Sequence, residues 1–269
     1  MSGRLRYTIL GCGSSGGVPR ADGNWGACDP AEPRNRRRRC SLLVQRVSHS
    51  GPETTVVIDT SPDFREQAIS AQVQRLDAIL FTHDHADQTH GLDDIRAFAL
   101  NQRARIPAWM DAATWARLHQ RFGYIFESVG GYPAICDHRP IPGLGVRFDV
   151  DGPSGPVPIV AFDQEHGEIR ALGFRIGDLA YSPDVNGLPE SAFDALEGVD
   201  TWIVDALRYT PHPTHANLET ALRWIERVKP RRAILTNMHI DMDFKRLRGE
   251  LPANVEPAFD GLTVQLDIA

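Results

Sequence analysis

A layered α/β domain, with helices packed outside β-sheets, is the fold class this sequence predicts, and three observations predict it. Short runs rich in Val, Ile, Leu and Thr recur along the chain. Most of them end in a polar loop carrying Gly, His or Asp. Between several of them lie segments whose apolar residues repeat at helical spacing.

Taken in order, the first strand is Arg6-Tyr7-Thr8-Ile9-Leu10, which runs into a glycine loop. Strands follow over 41–47 and 55–58, the second ending at Asp59-Thr60-Ser61-Pro62-Asp63. A run over 78–81 leads into a histidine cluster, and later strands are expected over 157–162, 172–176, 201–204, 233–236 and 263–268. Helices are expected over 64–73 and 112–122. A third begins at Leu218, where Leu218, Leu222, Ile225 and Val228 share one face, Asn217 serves as N-cap and Lys229-Pro230 as stop. No repeat or linker interrupts this order. The Gly/Pro-rich stretch 141–158 reads as an internal excursion, so residues 1–269 are expected to form a single domain.

Composition narrows the function classes. Apolar content of 42% is ordinary for a globular chain, and a formal charge of −6 argues against broad nucleic-acid binding. No run of about 18 apolar residues is present, which argues against a membrane span. Met1-Ser2-Gly3-Arg4 leads directly into a strand, without the apolar core of a secretory leader. The four cysteines, Cys12, Cys28, Cys40 and Cys136, form no CxxC pair and read as reduced thiols, so a cytoplasmic setting is expected.

The strongest chemical signal is Thr82-His83-Asp84-His85-Ala86-Asp87-Gln88-Thr89-His90, directly after the 78–81 strand. Imidazole nitrogen and carboxylate oxygen suit zinc and similar divalent ions. A loop leaving a strand can turn His83 and His85 to one point and Asp87 to a neighbouring one. Further candidates each end an apolar run: His166 in Gln164-Glu165-His166-Gly167, Asp184 in Tyr181-Ser182-Pro183-Asp184, and His239 after Thr236-Asn237-Met238. A sheet presents such residues together at its rim.

This ordered set resembles the metal motifs of the metallo-β-lactamase superfamily, and most closely the branch containing the phosphoribosyl 1,2-cyclic phosphate phosphodiesterase. Supporting stretches are Gly11-Cys12-Gly13-Ser14-Ser15-Gly16-Gly17-Val18-Pro19, Ile58-Asp59-Thr60-Ser61-Pro62-Asp63 and Gly91-Leu92-Asp93-Asp94-Ile95-Arg96. The resemblance implies a four-layer αββα sandwich and two divalent ions, zinc or manganese. By it, His83, His85 and His166 hold one ion, Asp87 and His239 serve the second, and Asp184 bridges. The family has a histidine where this chain has Gln88, whose neutral amide is a weaker ligand; the second site is therefore expected to be weak, manganese-preferring or empty. His90 lies two residues beyond the family position. Only Cys28 stands in the N-terminal loop where some relatives hold a structural zinc, so that extra zinc is not expected. Asp59 resembles a structural aspartate supporting the loop. His215 matches a histidine that acts as proton donor, and His212 has a weaker claim.

Gly11-x-Gly13-x-x-Gly16 formally fits a dinucleotide fingerprint, but Gly17-Val18-Pro19 follows where a helix is needed, so that reading is rejected. Amides of the Gly13-Ser14-Ser15 loop remain candidates for a phosphate, against the alternative of a tight turn. Arg36-Arg37-Arg38-Arg39 is either a solvated run or, through Arg39, a phosphate clamp. Trp25, Tyr124, Phe126 and Tyr132 are either core or a stacking wall.

The expected activity is hydrolysis of a small or cyclic, nucleotide-like phosphodiester by a metal-activated hydroxide, with Asp184 and His215 in catalytic roles. Gly13, Ser14, Ser15, Arg39 and His212 are the expected substrate contacts. The expected partner is a small phosphorylated molecule, and a homodimer is left open. Rival readings are a thioester or lactam hydrolase, a tRNA 3′-end nuclease (for which no basic arm is evident) and a non-catalytic nucleotide binder with a degraded metal site.

Overall fold

The computed structural model describes residues 3–47 and 51–268; Met1 and Ser2, on which the reading of the chain's start partly rests, lie outside them. Two seven-stranded sheets carry the architecture. The first runs, in spatial order, β14 (Thr263–Asp267), β1 (Arg4–Gly11), β2 (Ser41–Arg46), β3 (Thr54–Ile58), β4 (Ala78–Leu80), β5 (Ile106–Met110) and β6 (Cys136–Pro140). The second runs β13 (Val255–Pro257), β12 (Arg232–Thr236), β11 (Thr201–Asp205), β10 (Leu179–Ser182), β9 (Ile169–Ile176), β8 (Val157–His166) and β7 (Arg147–Val150).

Each sheet is half antiparallel and half parallel. Strands β3 to β6 pair in parallel, as do β10 to β13. Strands β8 and β10 are each antiparallel to β9, so they point the same way. Ligand sites in such sheets form beyond the carboxyl ends of the strands, because loops there meet without crossing the core. His166, Asp184, Asp205 and Asn237 all stand at or just past those ends.

Period-2 patterning assigns the faces. Leu5, Tyr7 and Ile9 of β1 turn toward the second sheet and share a buried core with Ile159, Phe174, Leu179, Trp202 and Ile234. The Tyr7 hydroxyl crosses between the sheets to donate to the Ile176 carbonyl at 2.6 Å, satisfying a polar group that would otherwise be buried unpaired. Leu10, Leu43, Val57, Ile79 and Phe81 form the opposite face. They pack under α1 (Phe64–Ser70), α3 (Arg96–Gln102) and α4 (Ala112–Phe126), which follow the short α2 (Ala86–Thr89) or flank it. On the outside of the second sheet, α5 (Glu190–Leu196), α6 (Leu218–Val228) and α7 (Phe244–Glu250) bury Ala192, Leu196, Ala221, Ile225 and Leu247. The result is the expected four-layer αββα sandwich.

Several expectations need correction. The stretch 141–158 is no plain excursion, since it contains edge strand β7, which pairs with β8. The helix expected over 64–73 stops at Ser70, and Gln72 then adopts a left-handed φ of 53°. The helix expected to end at 122 bends there, with Phe122 at φ −130°, and continues to Phe126. Asn217 caps α6 as expected, accepting from the Thr220 amide at 3.1 Å, and Lys229 closes it with φ 55°. Among the described residues, no helix is long and apolar enough to cross a membrane.

Candidate metal centre

The histidine loop is built from beneath. Asp59 follows β3 with φ 60° and is fully buried. Its two carboxylate oxygens accept from the Thr82 amide at 2.8 Å and the Thr82 hydroxyl at 2.9 Å. Because that hydroxyl donates to Asp59, its lone pairs face His83 Nδ1, 2.9 Å away. Nδ1 must then carry the ring proton, and Nε2 is left with a bare lone pair. That Nε2 is buried and has no hydrogen-bond partner. Gly91 allows the end of the same loop to lie against the Asp59–Asp63 turn, because any Cβ there would sit 2.2 Å from the Ser61 carbonyl oxygen.

Asp84 fixes the loop from the other side. Its buried carboxylate meets Arg117 at 2.8 Å and Arg121 at 3.0 Å, both on α4, and Arg121 also donates to the Asp84 carbonyl at 2.7 Å. His166, the last residue of β8, has Nδ1 2.7 Å from the Thr214 carbonyl, so that nitrogen donates and Nε2 is free. His166 Nε2 lies 3.2 Å from His85 Nδ1. One nitrogen each from His83, His85 and His166 lies within 4.8 Å of the others. Their ring centroids are 4.5 to 5.0 Å apart and the planes steeply inclined, so the ring edges converge. Burial holds His83 well below the usual imidazole range, and burial with the neighbouring His215 takes His166 down to about 4. Both are therefore neutral and able to ligate.

A second cluster adjoins the first: His166, Asp184 and His215 also bring donor atoms within 4.8 Å of one another. Asp184 is buried, and desolvation together with Asp87, Asp205 and Asp59 pushes its carboxyl well up, against the pull of His215. A buried carboxylate so placed calls for a cation. His215 Nδ1 is 2.8 Å from Asp205 and 3.1 Å from the Asn237 amide nitrogen. Burial lowers the His215 pKa, but the charge and hydrogen bond of Asp205, then Asp184 and Asp87, outweigh it and bring it up to about 9.

The residues expected at the second metal position arrange differently. The Gln88 amide nitrogen donates to Asp184 at 3.2 Å and faces Asp87 at 3.4 Å. His239 joins neither cluster: its Nδ1 faces Asp241 at 3.1 Å and its Nε2 contacts the Arg20 guanidinium. His90 is exposed and sets its ring against Phe122, with centroids 5.7 Å apart.

Substrate candidates divide as well. His212 stands 5.1 Å from His215, ring to ring, on the same rim. Arg39 sets its Nε 3.0 Å from Asp63 and keeps a partly exposed guanidinium, whereas Arg37 and Arg38 are engaged by backbone carbonyls and Asp260, which corrects the clamp reading for those two; Arg36 is exposed. The Gly13 and Ser14 amides donate to Arg38 at 2.8 Å and Met238 at 3.3 Å, so they are unavailable to a phosphate; Ser15 is exposed. Trp25 packs on Val18, Cys28 and Ile240, Phe126 is buried, and Tyr124 and Tyr132 are exposed beside Val129 and Leu100. Sequence reasoning missed Asp205, which ends an apolar strand just as His166 does and was findable by that rule. It also missed Arg20, for which the sequence carries no signal.

Comparison with known proteins adds four findings. A family model described as the β-lactamase superfamily domain matches residues 54–240. The crystal structure of a diphosphatase from the PhnP family is similar at 31% identity and a TM-score of 0.87, over 100% of this chain and 99% of that one. Zinc-bound PqqB from Methylobacterium extorquens shares the fold at 17% identity and a TM-score of 0.74, over 97% and 100% of the two chains. A curated octanoyltransferase of Porphyromonas gingivalis (strain ATCC BAA-308 / W83) is 29% identical over 272 residues; 98% of this chain is matched, which spans about half, 52%, of that relative's length.

Proposed function

The chain belongs to the β-lactamase superfamily, and from that premise we propose that it is a metal-dependent hydrolase of small phosphodiester or diphosphate substrates, working as one domain in the reducing cytoplasm. The observation that carries the reading is the convergence of three imidazoles, one with an orphaned buried Nε2, beside the buried carboxylate of Asp184. His83, His85 and His166 suit a divalent ion in donor type and spacing, and Asp184 adjoins them in the cluster it shares with His166. Such an ion supplies Lewis acidity, which polarises a phosphoryl oxygen and makes water a nucleophile near neutral pH.

The chain's own groups divide the remaining work. Asp205 holds His215 through Nδ1, which leaves Nε2 as the position for a transferable proton. His215 then gives that proton to the departing oxygen, where an unprotonated alkoxide would leave slowly. Asn237 donates to Asp184 at 3.3 Å and bonds the Asp205 carboxylate that holds His215, so the carboxylate and the proton donor keep a fixed separation. His212, beside His215, is placed to meet the substrate at the rim.

Phosphate is favoured over acyl substrates by the 31% identity to a diphosphatase across the whole chain. An acyl-transfer reading drawn from the octanoyltransferase relative finds no thiolate here. Burial raises the thiols of Cys12, Cys28, Cys40 and Cys136, and none is a nucleophile near neutral pH. The test is turnover, with zinc or manganese supplied, of bis(p-nitrophenyl) phosphate and a dinucleoside diphosphate against nitrocefin and a glutathione thioester. Phosphate-ester cleavage alone is expected; turnover confined to the acyl substrates would reject the assignment. A nucleotide bound with no turnover and no metal uptake would indicate the non-catalytic binder.

A further inference from the structure

The two-ion arrangement that the family resemblance implies does not fit the residues on one side of this site. At position 88 an amide replaces the expected imidazole, and it is turned so that its nitrogen donates to Asp184 and faces Asp87. In this orientation the amide offers its donor to the acids, and its Oε1 is left buried without a hydrogen-bond partner. The amide nitrogen thus stands within 3.2 Å of one oxygen of Asp184 and 3.4 Å of one of Asp87. Opposite, His239 Nε2 is engaged by the guanidinium of Arg20, a group that has donors and no acceptor. Because a guanidinium can only donate, the contact makes Nε2 the acceptor; Nδ1 lies 3.1 Å from an Asp241 carboxylate oxygen without a hydrogen bond to it. Arg20 is positioned by its own backbone, whose amide donates to the Asn24 carbonyl at 3.0 Å, and its stem crosses Gly16, where no side chain stands in the way. Its side chain is exposed, with donors left over after the His239 contact.

We propose that the second metal position of this chain is closed, that it binds one divalent ion only, and that Arg20 supplies the second positive charge by binding a non-bridging phosphoryl oxygen of the substrate. Gln88 serves as a proton-donating spacer that keeps Asp87 and Asp184 together without an ion between them. The proposal rests on the metal-dependent reading above, and ion stoichiometry separates the failure of one from the failure of the other.

The experiment loads the purified full chain with excess zinc, and in a parallel series with manganese, removes unbound ion by gel filtration, and measures metal per chain by inductively coupled plasma mass spectrometry. One ion per chain is expected for the unaltered protein. Two ions would overturn this inference and leave the hydrolase reading intact; none with either metal would overturn both. The Q88H/R20A double variant restores an imidazole at 88 and frees His239, so it should take up a second ion. A folded double variant that stays at one would show that these two residues are not what closes the position. The single variant R20A should stay at one ion while its KM for bis(p-nitrophenyl) phosphate rises about ten- to a hundredfold, the scale of a lost charge-assisted hydrogen bond. Partial recovery is expected in R20K. An unchanged KM in R20A would remove Arg20 from substrate binding. Should the double variant fail to fold, the stoichiometry of the unaltered chain and the KM of R20A still decide.

Discussion

The two sides of the rim use similar residue types and reach opposite states. On the His83, His85 and His166 side, two of the three rings direct a proton away from the centre: Thr82 and the Thr214 carbonyl take the Nδ1 protons of His83 and His166. Lone pairs are left facing inward. On the Gln88 and His239 side, protein partners consume the donors, with Gln88 turned to Asp184 and His239 to Arg20. Ligand identity alone therefore does not make a metal site. The groups behind the ligands decide which atom is presented, and the two sides differ in those groups.

Asp184 stands where the sides meet, accepting from Gln88 on one and from Asn237 on the other. Asp184→Asn should have the largest effect, lowering kcat/KM for a phosphodiester by about 10³ or more, because the carboxylate that would hold the cation and that favours the protonated His215 is gone. Thermal unfolding in the presence of a chelator should show the metal-free variant to be at least as stable as the unaltered protein. Burial already opposes the Asp184 charge, and an isosteric amide removes that cost. Full activity in this variant would break the assignment of the site.

His215→Gln tests whether the proton donor belongs to the chemistry or only to the scaffold. It should lower kcat by about a hundredfold, the lower end of general acid contributions, with metal content per chain unchanged. A variant that loses metal in proportion to activity would move His215 from proton donor to ligand. Asp59→Asn acts one step further back. An amide at 59 would offer its own protons to the Thr82 hydroxyl, which would then donate to His83 Nδ1 and shift the imidazole proton onto Nε2. Metal affinity, read by competition with a chromophoric chelator, should fall about tenfold. Unchanged affinity would mean that the Asp59–Thr82 chain does not set the ring's tautomer.

How far the sequence could be read follows from the same contrast. The strands that a loop of chemistry follows were legible, because a buried parallel strand is a short apolar run and its end is a polar break, as at Phe81-Thr82-His83 or Leu235-Thr236-Asn237. Strands β5, β6 and β13 carry proline or charge, as in Ile106-Pro107 and Cys136-Asp137-His138-Arg139, and hide in the pattern. Helices α2, α3, α5 and α7 span only four to seven residues, too short to display a period. Residue identity announced His83, His85 and His166, but nothing local to His239 reveals that Arg20, 219 positions away, engages its ring. The arginine run illustrates the same limit. Arg37 is buried among backbone carbonyls, and only the fold shows that this charge belongs to the interior.

The smallest expected effect lies in the clamp on Asp84, which distinguishes support of the metal side from mere surface pairing. Arg117 and Arg121 are about half exposed, so either one alone should contribute only about 1 kcal/mol to stability. Asp84 is not exposed: its side chain retains 5% of its accessible surface. Removing one arginine leaves a partner, whereas removing both strands a buried carboxylate. The R117A/R121A double variant should therefore lose more than the sum of the single losses, with an excess of about 1 kcal/mol or more in chemical denaturation. Because Asp84 lies between His83 and His85, the same double variant should also bind metal more weakly than either single variant. Additive losses with unchanged metal affinity would show that the loop holds its shape from Asp59 and Thr82 alone, and that the arginines are surface ornaments of α4.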